Sequence, residues 1–129
     1  MKTLKLDQAF SRWVRISNIK NGKVKCFTCP VELDWREIQN GHFMPRDNMM
    51  TRFSEIACKP QCSECNLDCH YHGEKQAVFE KNLRELYGDA IIDELILSAR
   101  QTKKWTQWEI DEMEKDYLAR IASLQTISE

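Results

Sequence analysis

The chain has 129 residues, a net charge of −1, 42% hydrophobic and 30% charged residues. That length and balance fit a single domain spanning 1–129 with a real core, and exclude wholesale disorder. No apolar run reaches the roughly 20 residues of a membrane span. The start, MKTLKLDQAFSRWVR, lacks the apolar centre of a secretory signal, so the expected location is the cytoplasm, with no membrane partner.

Charge is distributed unevenly. Residues 1–30 carry seven basic side chains against Asp7 alone, whereas residues 74–129 carry 12 acidic and 8 basic ones. A basic front is where a nucleic acid would meet the protein, if it is not simply a solvated helix face. In chain order, Leu6, Phe10, Trp13 and Val14 fall at helical spacing and predict a helix over 5–18. Asn21-Gly22 predicts a turn and then a short strand leading to Cys26 and Cys29. Residues 30–61 read as short strands and loops, and include QNGHFMPRDNMM, where His42 follows Gly41. Cys62, Cys65 and Asn66 come next, with His70, His72 and Glu74 close behind. EKQAVFEKNLRELYG is helical, with Gly88 at its C-cap and Asp89 placed to N-cap AIIDELILSAR. Thr106-Gln107-Trp108-Glu109 is a capping box opening a long helix with Ile110, Met113, Tyr117, Ile121 and Leu124 on one face. The organisation is thus a basic N-terminal helix (1–20), a cysteine-rich core (21–88) and C-terminal helices (89–129).

Cys26/Cys29 and Cys62/Cys65 are two C-x2-C pairs, the arrangement that turns four thiolates toward one tetrahedral zinc ion. In a reducing compartment they predict a closed, structural zinc site rather than disulfides. Cys58 and Cys69 read as buried small hydrophobes, or as parts of a second zinc site with His70 and His72. His42 lies between the knuckles, and Asn66, His70, His72 and Glu74 follow the second one. An imidazole, an amide and further donors around one volume are the inventory for metal-assisted phosphodiester hydrolysis.

The succession CFTC (26–29), GHFMPR (41–46), RFSE (52–55) and PQCSECN (60–66) resembles the phage NinG (Rap) recombination proteins. A helix ending Tyr87-Gly88 and the Lys-Trp-Thr of 104–106 also fit, so the resemblance covers roughly residues 20–125. More broadly the chain is similar to HNH nucleases and to the endonuclease VII group, which resolves Holliday junctions. The resemblance implies an α+β fold: a small zinc-stapled, treble-clef-like ββα-metal core flanked by helices, the last one long. It implies a metal-dependent, structure-selective endonuclease acting on branched recombination DNA, in the host cytoplasm, alongside host or phage recombination proteins.

Carried over, His42 is the general base and Asn66 a catalytic metal ligand or orienter, unless Asn66 merely caps its helix. The family's further helix position falls near Glu74, with His72 as rival, for Mg2+ or Mn2+. The chain departs from the HNH pattern at Gly41, where many such enzymes have a ligand, and at Ala57, where an orienting Asn would fall. Asp34, Glu55 and Asp68 are candidates for the missing carboxylate. Lys20, Lys23, Lys25, Arg46 and Arg52 are the expected phosphate contacts, with a structural ion pair as the alternative for Arg52. The four tryptophans read as core, Trp105 and Trp108 framing the last helix. Ile110, Tyr117 and Leu124 repeat every seven residues and predict a homodimer, unless the stripe packs on the chain's own centre. The competing function is a zinc-stabilised, non-catalytic DNA-binding or recombination accessory protein.

Overall fold

The computed structural model describes residues 2–128, with side chains as far as Gln125. The chain begins with α1 (Leu4–Ile16), whose Leu6, Ala9, Phe10 and Val14 recur at helical spacing and are buried. A hairpin follows: β1 (Ile19–Lys20) and β2 (Lys23–Lys25) are antiparallel, with Lys20 opposite Lys23. Asn21 (φ 54°) and Gly22 (φ 79°) both take the left-handed conformation that a two-residue hairpin turn requires. β3 (Glu32–Leu33) adds to β2 in a three-stranded sheet. A second antiparallel pair joins β4 (Gln39–His42) to β5 (Cys58–Gln61), with Gly41 opposite Lys59 and His42 opposite Cys58. Then come α2 (Ser63–His70), α3 (Glu74–Tyr87), α4 (Asp89–Ser98) and α5 (Gln107–Ser128).

Local chemistry explains the start of α5 and the break between α3 and α4. Thr106 and Glu109 cap α5 reciprocally: the Thr106 hydroxyl accepts the Glu109 N–H and the Glu109 carboxylate accepts the Thr106 N–H, each at 3.1 Å. Gly88, at φ 90°, separates α3 from α4 and is itself the N-cap of α4. Asp89, expected as that cap, is instead the first helical residue, and its carboxylate pairs with Arg84 at 3.1 Å.

Three apolar clusters hold the elements together. The first joins α1 to Phe53, Ala57, Cys58, Ile110 and Tyr117. The second surrounds the cysteines with Val24, Ile38, Leu33 and Trp35. The third gathers Phe43, Cys69, Phe79, Leu83 and Ile92. The α5 stripe is used within the chain: Ile110, Tyr117 and Ile121 are buried, and the Tyr117 ring lies 5.0 Å from Phe10 and 5.3 Å from Trp13. The heptad repeat therefore marks the seam between α5 and α1 and is no ground for a homodimer. Trp105 packs beside Phe53 and donates its indole N–H to the Met49 carbonyl at 2.8 Å. Trp108, expected to pack, is 71% exposed, because it lies on the face of α5 opposite Ile110. Among the described residues, no helix is long and apolar enough to cross a membrane.

Candidate functional site

Two chain segments deliver the four cysteines. Cys26 and Cys29 follow β2, while Cys62 is the N-cap of α2 and Cys65 lies in its first turn. The ligand atoms all lie within 4.8 Å of one another, and the Cys29 and Cys62 sulfurs are 3.7 Å apart. Four sulfurs at about 2.3 Å from a tetrahedral zinc would be separated by about 3.8 Å, so the cluster fits that ion. Burial alone would raise the Cys26 thiol, but the backbone N–H groups of Cys62 and Thr28 and the Thr28 hydroxyl bring it down to about 7. Burial pushes Cys65 up to about 12 and raises Cys29 as well. Negative charge thus collects first on Cys26, and a bound cation is what stabilises the remaining thiolates.

A second zinc site does not form. Among the described residues, the four cysteines are the one His/Cys/Asp/Glu group gathered closely enough for a metal. Cys58 is buried against the Thr51 and Arg52 carbonyls, and burial raises its thiol strongly. Cys69 is buried and accepts a hydrogen bond from the Gln61 amide at 3.4 Å.

Beside the four-cysteine cluster lies a cleft of about 1190 Å³ with walls from α1 and α2 and β4 between them. His42, Asn66, His70 and His72 all line it, together with Asn40, Asp7 and Arg46. His42 Nε2 lies 3.2 Å from the Arg52 carbonyl oxygen. A carbonyl only accepts, so Nε2 carries the proton and the lone pair is on Nδ1. Burial lowers the His42 pKa below its ordinary 6.5, and the Arg46 and Arg52 charges press the same way against the Arg52 carbonyl, which raises it. The ring is therefore neutral at neutral pH.

Asn66 sits in the body of α2, not at its cap, so the capping role falls to Cys62. Its Nδ2 donates to Gln39 Oε1 at 2.8 Å, which fixes the amide and leaves Oδ1 as an acceptor. His70 is four residues further along α2, on the same face. That i, i+4 relation puts His70 and Asn66 together on the cleft side of α2. Glu74, the expected ligand, is exposed at the start of α3 and does not line the cleft; His72, at φ 56° in the turn after α2, does.

None of the three expected carboxylates faces the cleft. Asp34 bonds Arg36, Glu55 accepts from Tyr117 and pairs with Arg120, and Asp68 accepts the Lys75 N–H at 2.8 Å. The carboxylate that does line it, Asp7, was not foreseen. It is held by Arg52 through a two-point pair at 2.9 and 2.7 Å, with Arg46 at 3.4 Å. Burial alone would raise the Asp7 pKa, but the bond and charge of Arg52 outweigh it and keep the carboxyl below its usual range. Arg52 is only 16% exposed and is a structural ion-pair partner, while Arg46, 59% exposed, remains open at the rim. Lys20, Lys23 and Lys25 are exposed on the hairpin, outside the cleft lining.

The two departures have a steric and a topological reason. A Cβ on Gly41 would stand 2.0 Å from Gln61 Oε1 and 2.6 Å from its Cδ. Gln61 is fully buried and donates to the Thr28 hydroxyl at 3.0 Å, so position 41 has no room for a ligand side chain. Ala57 is buried and its carbonyl accepts the Phe43 N–H at 2.8 Å; the Arg52 carbonyl, not a side chain at 57, meets His42.

A small α+β chain with short antiparallel strands, five helices among the described residues and a four-cysteine centre suited to zinc is the class that these features define. Within that class, the chain belongs to the family of the bacteriophage lambda NinG protein, whose family model matches residues 3–127. No curated protein and no solved structure matches the chain.

Proposed function

We propose that this protein is a metal-dependent endonuclease of the HNH type that hydrolyses phosphodiester bonds in branched, Holliday-junction-like DNA during phage recombination. The observation that carries this reading is His42, which is neutral, fixed by the Arg52 carbonyl and shares a cleft with Asn66 and His70. In this role Nδ1 takes the proton from the attacking water. Arg46 meets a phosphate oxygen at the rim, where a planar guanidinium suits it. Asp7 holds Arg52, and with it the Arg52 carbonyl that orients the ring.

Asn66 and His70 are the residues that would hold a divalent ion. Asn40, two residues before His42 on β4, adds an Oδ1 that is buried without a partner on the same wall, the kind of oxygen a cation satisfies. Bound there, the ion would supply stabilisation of the negative charge developing on the phosphate. Amide oxygens suit Mg2+ and Mn2+ alike.

The zinc centre suits a non-catalytic DNA-binding accessory protein equally well, and the His42 geometry is what favours the enzyme. The deciding experiment incubates zinc-loaded protein with a labelled four-way junction and Mn2+ or Mg2+. Nicks that require the added ion support the endonuclease. Binding without nicks under either ion supports the accessory protein.

A further inference from the structure

Three arginines gather around one tryptophan at the side of the cleft. The guanidinium carbons of Arg12, Arg15 and Arg36 lie 5.4, 5.3 and 5.0 Å from the Trp35 ring centroid. Trp35 packs on the cysteine cluster, so the zinc centre fixes this platform. Arg15 is anchored from below: its Nε donates to the Ser11 carbonyl at 3.1 Å and its Nη1 to the Trp35 carbonyl at 3.0 Å. Arg36 pairs with Asp34 at 3.2 Å and is 70% exposed. Arg12 is exposed, and among the described residues neither it nor Arg15 has a carboxylate within 4.0 Å.

Three cations thus converge with one carboxylate between them, and Lys23 acts on that same carboxylate. An indole face holds a guanidinium by its quadrupole without neutralising it. Like charges this close repel, and an approaching anion relieves the repulsion. Burial and the neighbouring Arg12 both lower the Arg15 pKa, the direction expected where positive charge is in excess. Arg15 also lines the cleft that holds His42, so patch and cleft are continuous.

We infer that Arg12, Arg15 and Arg36, gathered on the indole of Trp35, form a binding site for backbone phosphates of the DNA that occupies the cleft. The inference rests on the proposed reading only for the identity of the polyanion as DNA. The guanidinium fork is the side chain best matched to phosphate oxygens. Contacts of this kind position the strand without reading its sequence.

The test measures binding of the zinc-loaded full chain to a labelled four-way junction over a salt series, with no Mg2+ or Mn2+ added. Arg12→Gln/Arg36→Gln removes two exposed charges and leaves the anchored Arg15. Lys81→Gln/Lys115→Gln removes the same charge from α3 and α5, away from the patch. If each arginine meets one phosphate, the arginine pair loses about 1.8 from the salt slope and weakens binding roughly 60-fold at 0.1 M salt. The lysine pair should leave slope and affinity close to wild type. Equal effects from the two pairs, an unchanged slope with only a lowered melting temperature, or a wild-type chain that ignores DNA would each overturn the site. A wild-type chain that binds through this patch but never cuts would remove the endonuclease reading and leave the phosphate site standing.

Discussion

Replacing Gly41 by Ala tests the packing that shapes the cleft. The new methyl would stand 2.0 Å from Gln61 Oε1 and 2.7 Å from Gln61 Cγ. A long side chain at the surface would swing away at little cost, but Gln61 is fully buried and has no solvent to enter. It must leave its rotamer and give up its bond to the Thr28 hydroxyl, the group that also contacts Cys26 at 3.6 Å. Overpacking costs about 1–3 kcal/mol and the lost hydrogen bond about 1, giving roughly 2–4 kcal/mol in all. That is about a third of the stability of an average domain of this length. Denaturant unfolding of zinc-loaded Gly41→Ala, Gln61→Ala and the double variant measures it. The clash disappears when Gln61 is shortened, so the double variant should be more stable than the sum of the single losses by about 1–3 kcal/mol. A Gly41→Ala chain as stable as wild type, or strictly additive losses, would refute the steric account of why no ligand stands at position 41.

Cys62→Ser should lower the zinc content measured by elemental analysis from one per chain and unfold the second cluster as well, because the sulfur is both ligand and neighbour of Cys29. Tyr117→Ala should cost about 3–5 kcal/mol in denaturant unfolding through loss of the contacts with Phe10 and Trp13, with no change of mass in light scattering. The lowered His42 pKa also fixes a pH dependence. The unfolded state takes up the proton first as pH falls through 6.5, so this residue's share of stability is complete above that pH and shrinks below it. The acid limb of the cleavage rate should accordingly fall below pH 6.5, and a limb at or above it would contradict the burial of His42.

Much of this architecture was legible because its signals are local. Helical spacing gave α1, the Asn21-Gly22 pair gave the hairpin turn, and Thr106 with Glu109 gave the start of α5. The paired cysteines announced the four-sulfur cluster since each knuckle is a short-range feature. What could not be read is what depends on distant partners. Nothing near Arg52 announces Asp7, which lies on another element, and nothing near Trp35 announces Arg12 and Arg15 on α1. The α5 stripe shows that a face will be buried, but its spacing does not distinguish α1 from a second chain. Gly41 reads as a missing ligand in sequence and becomes a packing necessity only when Gln61 is seen beside it. His70 stands among the donors that follow the second knuckle, and its distance of four residues from Asn66 already places both on one helix face.

The most direct measurement is single-turnover cleavage of a labelled four-way junction by His42→Ala beside wild type, with Mn2+ and with binding and melting temperature recorded on the same preparations. Loss of a positioned general base predicts a rate lower by about 10²–10⁴-fold, with junction affinity and folding retained. Cleavage by the variant at the wild-type rate would contradict the assignment of His42 and the mechanism built on it.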